Sequence, residues 1–292
     1  MTPAFGRYIA PARARPQIWR LVPGLLLIVG FHLAWVYTLA GVLHGTLAWS
    51  EVLAAETPAA VVALLAGFGG LILGCVVVVR VLHRRGFGSL IGPGPRALRH
   101  FALGMGVVGL VYALGALIWL FLLGRPVAGV APGLWLIWLA PLLLVLLMQT
   151  LAEELVFRGY LQQQLAARFS SPLVWMLLPS AAFGLLHYEP ALMGQNAWLV
   201  VAATGLFGLV AADLTVRSGT LGLAWGLHFA NNFVALALVA PAGNLSGAAL
   251  FQLPFGVGDI AEMRGMLFLD MALLLLVWGL ARLALAKAGR GE

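Results

Sequence analysis

The chain has 292 residues, of which 62% are hydrophobic and 9% are charged, and its mean hydropathy is +1.01. Soluble domains carry about a quarter charged residues, so this composition excludes a soluble globular protein and predicts an integral membrane protein. The net charge of +7 could favour nucleic acid. Because the basic residues cluster between apolar segments, we expect the lipid bilayer, and no nucleic acid, to be the partner.

Apolar segments of about 20 residues, the length that crosses a hydrocarbon core, recur along the chain. We expect an all-α fold, a polytopic membrane bundle of about eight transmembrane helices in a single domain over residues 1–292. Residues 1–18 are expected to be a cytoplasmic N-terminal segment. The predicted spans are 19–43, 58–82, 101–123, 134–157, 172–188, 197–214, 219–240 and 265–284.

Basic residues predict the orientation of these spans. If the N-terminus is cytoplasmic, all 17 Lys and Arg residues except Arg125 and Arg264 fall at the cytoplasmic side. This asymmetry follows the positive-inside rule and predicts that both termini are cytoplasmic. The first span follows several arginines, as a secretory signal does, but its length and the lack of a small-residue cleavage site predict a retained anchor. The arginine-rich composition hints at a bacterium, so we expect a bacterial inner membrane.

The fourth span ends on Glu-Glu-Leu-Val-Phe-Arg at residues 153–158. Each acidic side chain costs about 2.5–3.5 kcal/mol in the hydrocarbon, so a buried pair marks a functional site. Helical spacing puts Glu154 and Arg158 on one face and rotates Glu153 by about 100°. We expect Arg158 to hold Glu154 through a bidentate bond, and Glu153 to face a cavity as a base. Polar residues up to Phe169 predict that this helix projects beyond the membrane.

The fifth and seventh spans carry polar residues that can face these glutamates. In an antiparallel hairpin, His187 of the fifth span is level with Glu154, because both are about equally far from the intervening turn. On the seventh span, His228 and Asn232 are an i, i+4 pair, while Asn231 points elsewhere. A carboxylate, two imidazoles and an amide at one depth can supply a base, a proton partner and donors for an oxyanion.

Three motifs therefore follow one another on successive apolar helices: Glu-Glu-x-x-x-Arg at 153–158, Phe-x-x-x-His at 183–187 and His-x-x-x-Asn at 228–232. Together they resemble the type II CAAX prenyl protease family, also called the CPBP or Abi family of intramembrane proteases. The resemblance covers about residues 134–240, which are the expected catalytic core helices.

The resemblance implies hydrolysis of a peptide bond in a membrane-embedded or lipidated protein or peptide. The first glutamate and the histidine of the second motif would activate a water, the third motif would bind the oxyanion, and the second glutamate and the arginine would support them. The family does not fix the substrate, a prenyl requirement or the oligomeric state. The catalytic residues that it implies are Glu153, Glu154, Arg158, His187, His228 and Asn232.

Other functions stay open from the sequence. A transporter or proton relay would also bury carboxylates and histidines, although this chain lacks the inverted repeats of many transporters. A non-catalytic immunity or binding homologue could keep the fold without turnover. We expect no cofactor; the alternative is a zinc ion bound by Glu153, His187 and His228. The single cysteine, Cys75, excludes a disulfide framework and a cysteine-based metal site, and is expected to fill the core.

We assign no catalytic role to the remaining ionisable residues in or near the spans. Asp213 and Arg217 form an i, i+4 pair of structural type. Asp270 lies inside the last span and pairs with Arg264 or faces a polar cavity. The other histidines lie near span ends or in loops and are expected to be solvated or to snorkel to the interface: His32, His44, His83 and His100.

Overall fold

The computed structural model describes residues 1–122 and 127–288. Arg125, which the charge pattern assigns to the outer side, lies outside the described residues. The described chain is mostly helical, which confirms the predicted polytopic helical membrane bundle. Its α-helices are α1 (Pro3–Arg13), α2 (Ile18–Leu43), α3 (Trp49–Ala54), α4 (Pro58–Ala66), α5 (Gly69–Val81), α6 (Gly88–Ile91), α7 (Gly94–Leu122), α8 (Pro132–Glu154), α9 (Gln163–Arg168), α10 (Leu178–Leu185), α11 (Pro190–Met193), α12 (Ala197–Ser218), α13 (Gly222–Phe233) and α14 (Ile260–Ala288).

Shorter helical segments continue several of these helices. The π-helical segment Leu155–Gln162 joins α8 to α9, and Leu173–Leu177 leads into α10. A third π-helical segment, Val234–Leu238, extends α13, and a 3-10 turn at Gly194–Asn196 precedes α12. The wider π turns are typical of functional sites, and the first one begins directly after the paired glutamates.

Six helices among the described residues are long and apolar enough to cross a membrane. The other two predicted spans are shorter helices: the apolar helix Leu173–Leu185, and α13 with its π-helical extension. Leu173–Leu185 has 13 residues, which at 1.5 Å per residue is about 20 Å, against a core of about 30 Å. The six long helices are Ile18–Leu43, Pro58–Val81, Gly94–Ile118, Pro132–Arg168, Pro190–Ser218 and Ile260–Lys287.

A small sheet, which the sequence did not indicate, joins two of the loops predicted to be outside. Strand β1 (Val127–Ala128) pairs antiparallel with β3 (Phe251–Gly256), and β3 pairs in parallel with β2 (Val239–Ala242). In this register, Gln252 of β3 lies opposite both Val127 of β1 and Ala240 of β2. These loops therefore meet at one end of the bundle, as the alternating topology requires.

Helix α1, at the other end, was predicted only as a cytoplasmic segment. The side chain of Thr2 caps it by accepting a hydrogen bond from the Phe5 amide, and Pro3 occupies its first position. Its buried residues recur with helical period, and they pack α1 against α9 and α12. They are Phe5, Tyr8, Ile9 and Ala12.

The helix that carries the glutamates does not continue as a solvated polar projection. Gln162, Gln163 and Gln164 are all buried. The Gln163 amide donates to the Tyr8 and Ser89 carbonyls, which ties α1 to the loop around α6. The polar residues that follow the glutamates therefore form a buried layer and are not exposed to water.

His83 belongs to this layer, so the expectation that it is solvated was wrong. It is 3% exposed, with Nε2 3.1 Å from the Tyr160 hydroxyl and Nδ1 3.2 Å from the Gln164 amide nitrogen. Burial and the nearby Arg85 guanidinium lower the pKa of His83 to about 4. We refer to five hydrogen-bonded residues as the inner polar layer: His83, Arg85, Tyr160, Gln163 and Gln164.

Other polar residues outside the cavity match their predictions more closely. Arg217 donates from Nε to both oxygens of Asp213, which confirms that i, i+4 pair. His44 is exposed, as expected. His100 is only partly buried, with Nδ1 2.7 Å from the Thr220 hydroxyl. Cys75 is buried in the core.

Candidate active site

A cavity of about 200 Å³ lies among α8, α10, α12, α13 and α14. Four residues that the motifs singled out line it together: Glu153, His187, His228 and Asn232. They come from α8, the turn that follows α10, and α13, so this convergence depends on the tertiary fold. The predicted shared cavity is confirmed, while the catalytic roles of its residues stay a proposal.

The two adjacent glutamates have different environments. Glu153 lines the cavity, with 12% of its side chain exposed. Glu154 is fully buried, and its Oε1 accepts hydrogen bonds from Nη1 of Arg158 and Nδ1 of His228, both at 2.9 Å. The predicted divergence of the two side chains is therefore correct, and it follows from the helical rotation between neighbours.

Arg158 binds Glu154 through one nitrogen, so the expected bidentate bond was wrong. Its Nη2 donates instead to the carbonyl of Gly208 on α12, at 3.3 Å. The guanidinium also lies 4.9 Å from the ring centroid of Phe183 and 5.8 Å from that of Phe207. Arg158 thus links three helical segments, and the carbonyl competes for the nitrogen that a bidentate pair would need.

His228 lies between the two glutamates. Since Nδ1 contacts the buried Glu154 carboxylate, only Nε2 faces the cavity, 3.5 Å from Oε2 of Glu153. Sequence spacing alone did not predict that His228 contacts both carboxylates. Its helix, α13, lies so close to α7 that any side chain at Gly222 or Gly226 would collide with the α7 backbone.

The hydrogen bond of His187 shows which of its two ring nitrogens can accept a hydrogen bond in the cavity. Its Nδ1 lies 2.8 Å from the Phe183 carbonyl oxygen, which can only accept, so Nδ1 carries the proton. In the neutral ring, Nε2 then has a lone pair available to the cavity. The Phe183 ring, 4.8 Å from the imidazole centroid, packs beside it as the i, i+4 spacing predicts.

A chain of side-chain amides fixes Asn232. The Tyr112 hydroxyl donates to Asn231 at 2.8 Å, Asn231 contacts Asn232 at 3.5 Å, and Asn232 donates to Gln149 at 3.0 Å. Asn231 lines the cavity, so the expectation that it points elsewhere was wrong. Two neighbouring helical positions can both border this void because they are only about 100° apart.

Gln149 and Asp270 also line the cavity, although neither belongs to the three motifs. Gln149 is one turn before Glu153, so i, i+4 spacing could have identified it. Of the two options for Asp270, the structure supports the polar cavity, because Arg264 donates from Nε to Asn196. The signal for Asp270 was an acidic residue inside an apolar span.

The alternative zinc site of Glu153, His187 and His228 stays a prediction. No group of three or more His, Cys, Asp or Glu side chains among the described residues is arranged to hold a metal ion. His187 bonds a carbonyl and His228 bonds a carboxylate, each through Nδ1, and these contacts fix the orientation of the two imidazoles.

Comparison with known proteins supports the motif assignment. Residues 133–234, which contain all three motifs, match the family model described as type II CAAX prenyl endopeptidase Rce1-like, as the resemblance predicted for this region. The chain is 32% identical over 112 residues to a protein of Bacillus subtilis (strain 168) named "Uncharacterized protein YyaK". That alignment covers 38% of this chain and 38% of the relative. No solved structure matches.

Proposed function

We propose that this chain, whose residues 133–234 match the family model for type II CAAX prenyl endopeptidase Rce1-like proteins, is an intramembrane endopeptidase. One observation carries the proposal: the polar residues of all three motifs border a single cavity inside an apolar bundle. Isolated structural ion pairs or interhelical hydrogen bonds would not require an acid, two imidazoles and an amide around one void.

In the proposed reaction Glu153 and His187 activate a water. The Glu153 carboxylate and the unprotonated Nε2 of His187 are both acceptors, so one water can donate a hydrogen bond to each. The oxygen lone pair of that water is then free to attack the carbonyl carbon of the scissile peptide. Glu153 takes one proton as the new carbon–oxygen bond forms, and general-base assistance of this kind contributes about 10²–10⁴ in rate.

His228 and Asn232 are positioned to stabilise the oxyanion. In its imidazolium form, His228 keeps Nδ1–H on Glu154 and presents Nε2–H to the cavity. Asn232 uses one amide hydrogen on Gln149, which leaves the other for the developing negative charge. Removing one such donor typically lowers kcat by about 10²–10³.

Breakdown of the tetrahedral intermediate returns the proton. The carbon–nitrogen bond breaks, and Glu153 gives the proton that it took from water to the leaving amine. The products are a carboxylic acid and an amine, and Glu153 returns to its ionised form. Glu154 and Arg158 touch no reacting atom in this scheme. Glu154 orients His228 and balances its positive charge, while Arg158 holds Glu154.

The membrane context supports the remaining parts of the proposal. We propose a single transmembrane domain in a bacterial inner membrane, with both termini cytoplasmic, which acts on a membrane-embedded or lipidated protein or peptide. Polar motif residues and apolar side chains of α12 and α14 line the cavity together, and we expect the scissile bond of such a substrate to bind there. It is expected to open toward the cytoplasmic leaflet, since the glutamate helix continues toward that side.

N-terminal peptide profiling tests the proposal without a known substrate. Membranes that contain the wild-type chain, Glu153→Gln or Glu189→Gln are incubated, and newly formed N-termini are identified by mass spectrometry. Wild type and Glu189→Gln, an exposed acid outside the cavity, should generate the same new termini, and Glu153→Gln should generate none of them. Identical profiles for wild type and Glu153→Gln would refute peptide-bond hydrolysis at this site.

A further inference from the structure

A second cavity, of about 500 Å³, lies at the end of the bundle that is remote from the sheet. Helix α1, the segment Gly88–Pro93 and the first turn of α7 form its walls. Arg7 and Arg96 line it from two sides, together with Tyr8 and Ser89. None of the described residues that line it is acidic, so this cavity concentrates positive charge.

A third guanidinium lies directly behind this lining. Arg85 is 8% exposed, and its Nη1 contacts the Ser89 hydroxyl at 3.3 Å and the Gln163 amide oxygen. Its Nε and Nη2 atoms are buried and have no hydrogen-bond partner among the described residues. A buried cation without a carboxylate is unfavourable, and a bound anion would offset that penalty.

The location of the cavity restricts the possible anions. Arg7 precedes the membrane helix Ile18–Leu43, Arg85 follows Pro58–Val81, and Arg96 opens Gly94–Ile118, so all three lie at one membrane edge. By the charge pattern, this edge is the cytoplasmic one. Basic pockets between membrane helices on that side are suited to anionic lipid headgroups.

We infer that the cavity lined by Arg7 and Arg96 and backed by Arg85 binds a phosphate-bearing anion, namely an anionic phospholipid headgroup or free phosphate. Guanidinium groups match the geometry and charge of phosphate oxygens and can bind them bidentately. The site is separate from the proposed catalytic cavity and does not depend on peptidase activity.

A bound anion would also stabilise the packing of α1. The cavity walls belong to α1 and to the α6–α7 region, which Gln163 already connects through the Tyr8 and Ser89 carbonyls. An anion held between Arg7 and Arg96 would add a second connection between these elements. Binding should therefore raise the thermal unfolding midpoint of the full chain, since a ligand of the native state stabilises it.

The test uses the purified full chain in detergent and three probes: dioleoyl phosphatidylglycerol, dioleoyl phosphatidylcholine and inorganic phosphate. Binding is followed by native mass spectrometry and by the unfolding midpoint. Phosphatidylglycerol should bind and raise the midpoint, and phosphatidylcholine, which has no net charge, should bind at least about tenfold more weakly. If inorganic phosphate reproduces the effect while the two lipids do not differ, the anion is free phosphate.

The variants decide whether the cavity is responsible. Arg7→Gln/Arg96→Gln should weaken binding of the effective probe at least about tenfold, whereas Arg13→Gln, an exposed arginine of α1 outside the lining, should not. Arg85→Gln should have the same effect as the double variant. Since Arg85→Gln alone could disturb folding, the surface double variant is decisive. Unchanged binding in that variant, or no binding of phosphatidylglycerol and phosphate by the wild type, would overturn the inference.

Discussion

Two polar clusters interrupt the apolar interior. Apart from Arg85, they differ in whether their hydrogen-bonding atoms are paired within the protein or directed toward a cavity. In the inner polar layer, Gln163 bonds the backbone of Tyr8 and Ser89, and His83 lies between Tyr160 and Gln164. Around the proposed catalytic cavity, Glu153 and His187 keep acceptor atoms directed toward a void.

This difference separates a structural role from a chemical one. Apart from Arg85, the side chains of the inner polar layer have hydrogen bonds that hold helices in place, since an unsatisfied buried group would be costly. Polar atoms that face a cavity without a hydrogen-bond partner in the protein can bind a water and a substrate. Glutamate, glutamine and histidine therefore do not reveal their roles by identity alone, and substitutions in the two clusters should affect different properties.

The largest effect is expected for Glu153→Gln. The amide keeps the shape of the side chain but cannot accept the proton of water, so hydrolysis should fall by about 10²–10⁴. The unfolding midpoint should stay close to the wild-type value, because Glu153 has no ion pair with Arg158. Single-turnover cleavage of a substrate found by N-terminal profiling measures the rate. Near-normal turnover would show that Glu153 is not the base.

Glu154→Gln should lower stability and activity together. The substitution removes the charge that offsets buried Arg158 and that orients His228 through Nδ1. Loss of one partner of a buried pair costs about 3–5 kcal/mol. Thermal unfolding and turnover are measured on the same preparation. A Glu154→Gln chain that is fully stable yet inactive would instead assign a direct catalytic role to Glu154.

Gln163→Leu tests the structural cluster. It removes the donor to Tyr8 and Ser89 and leaves buried carbonyls without their partner, which costs about 1–3 kcal/mol. The unfolding midpoint should fall, while the turnover of the folded fraction should be unchanged. Ala166→Leu, at a buried position on the same helix, is a poor control because it adds volume, whereas Ser171→Ala, at an exposed position, should change neither property.

The smallest effect is a pH dependence of stability that arises from His83. Its pKa in the folded chain, about 4, lies below the ordinary value of 6.5 because of burial and Arg85. Between these values the unfolded chain binds more protons, so the free energy of unfolding should fall as pH drops from 6.5 toward 4. His83→Gln should weaken this decline, and the exposed His44→Gln should not. Unfolding midpoints at pH 7.5 and pH 5 provide the comparison.

Sequence periodicity predicted the relations within one helix. The Glu154–Arg158 pair, the cavity-facing Glu153 and the packing of Phe183 beside His187 all follow from the 3.6-residue repeat. The shared cavity was also predictable, because the hairpin brings His187 level with the glutamates.

Contacts between helices could not be read from the same repeat. Whether His228 touches one glutamate or both depends on how α13 approaches α8, which is set by packing against α7. The buried state of Gln163 depends on coverage by α1, a helix that looked like a free terminal segment. Likewise, the sequence does not indicate that Nη2 of Arg158 donates a hydrogen bond to the Gly208 carbonyl, because a backbone acceptor has no side chain that would mark it.

The most direct test of the central claim measures turnover and thermal unfolding side by side for Glu153→Gln and Gln163→Leu. We expect the two variants to differ in opposite ways. Glu153→Gln should unfold like the wild type and fail to cleave, whereas Gln163→Leu should unfold at lower temperature and cleave at the wild-type rate per folded molecule. If both variants lose activity only in proportion to lost stability, the cavity around Glu153 is structural and the proposed peptidase mechanism is wrong.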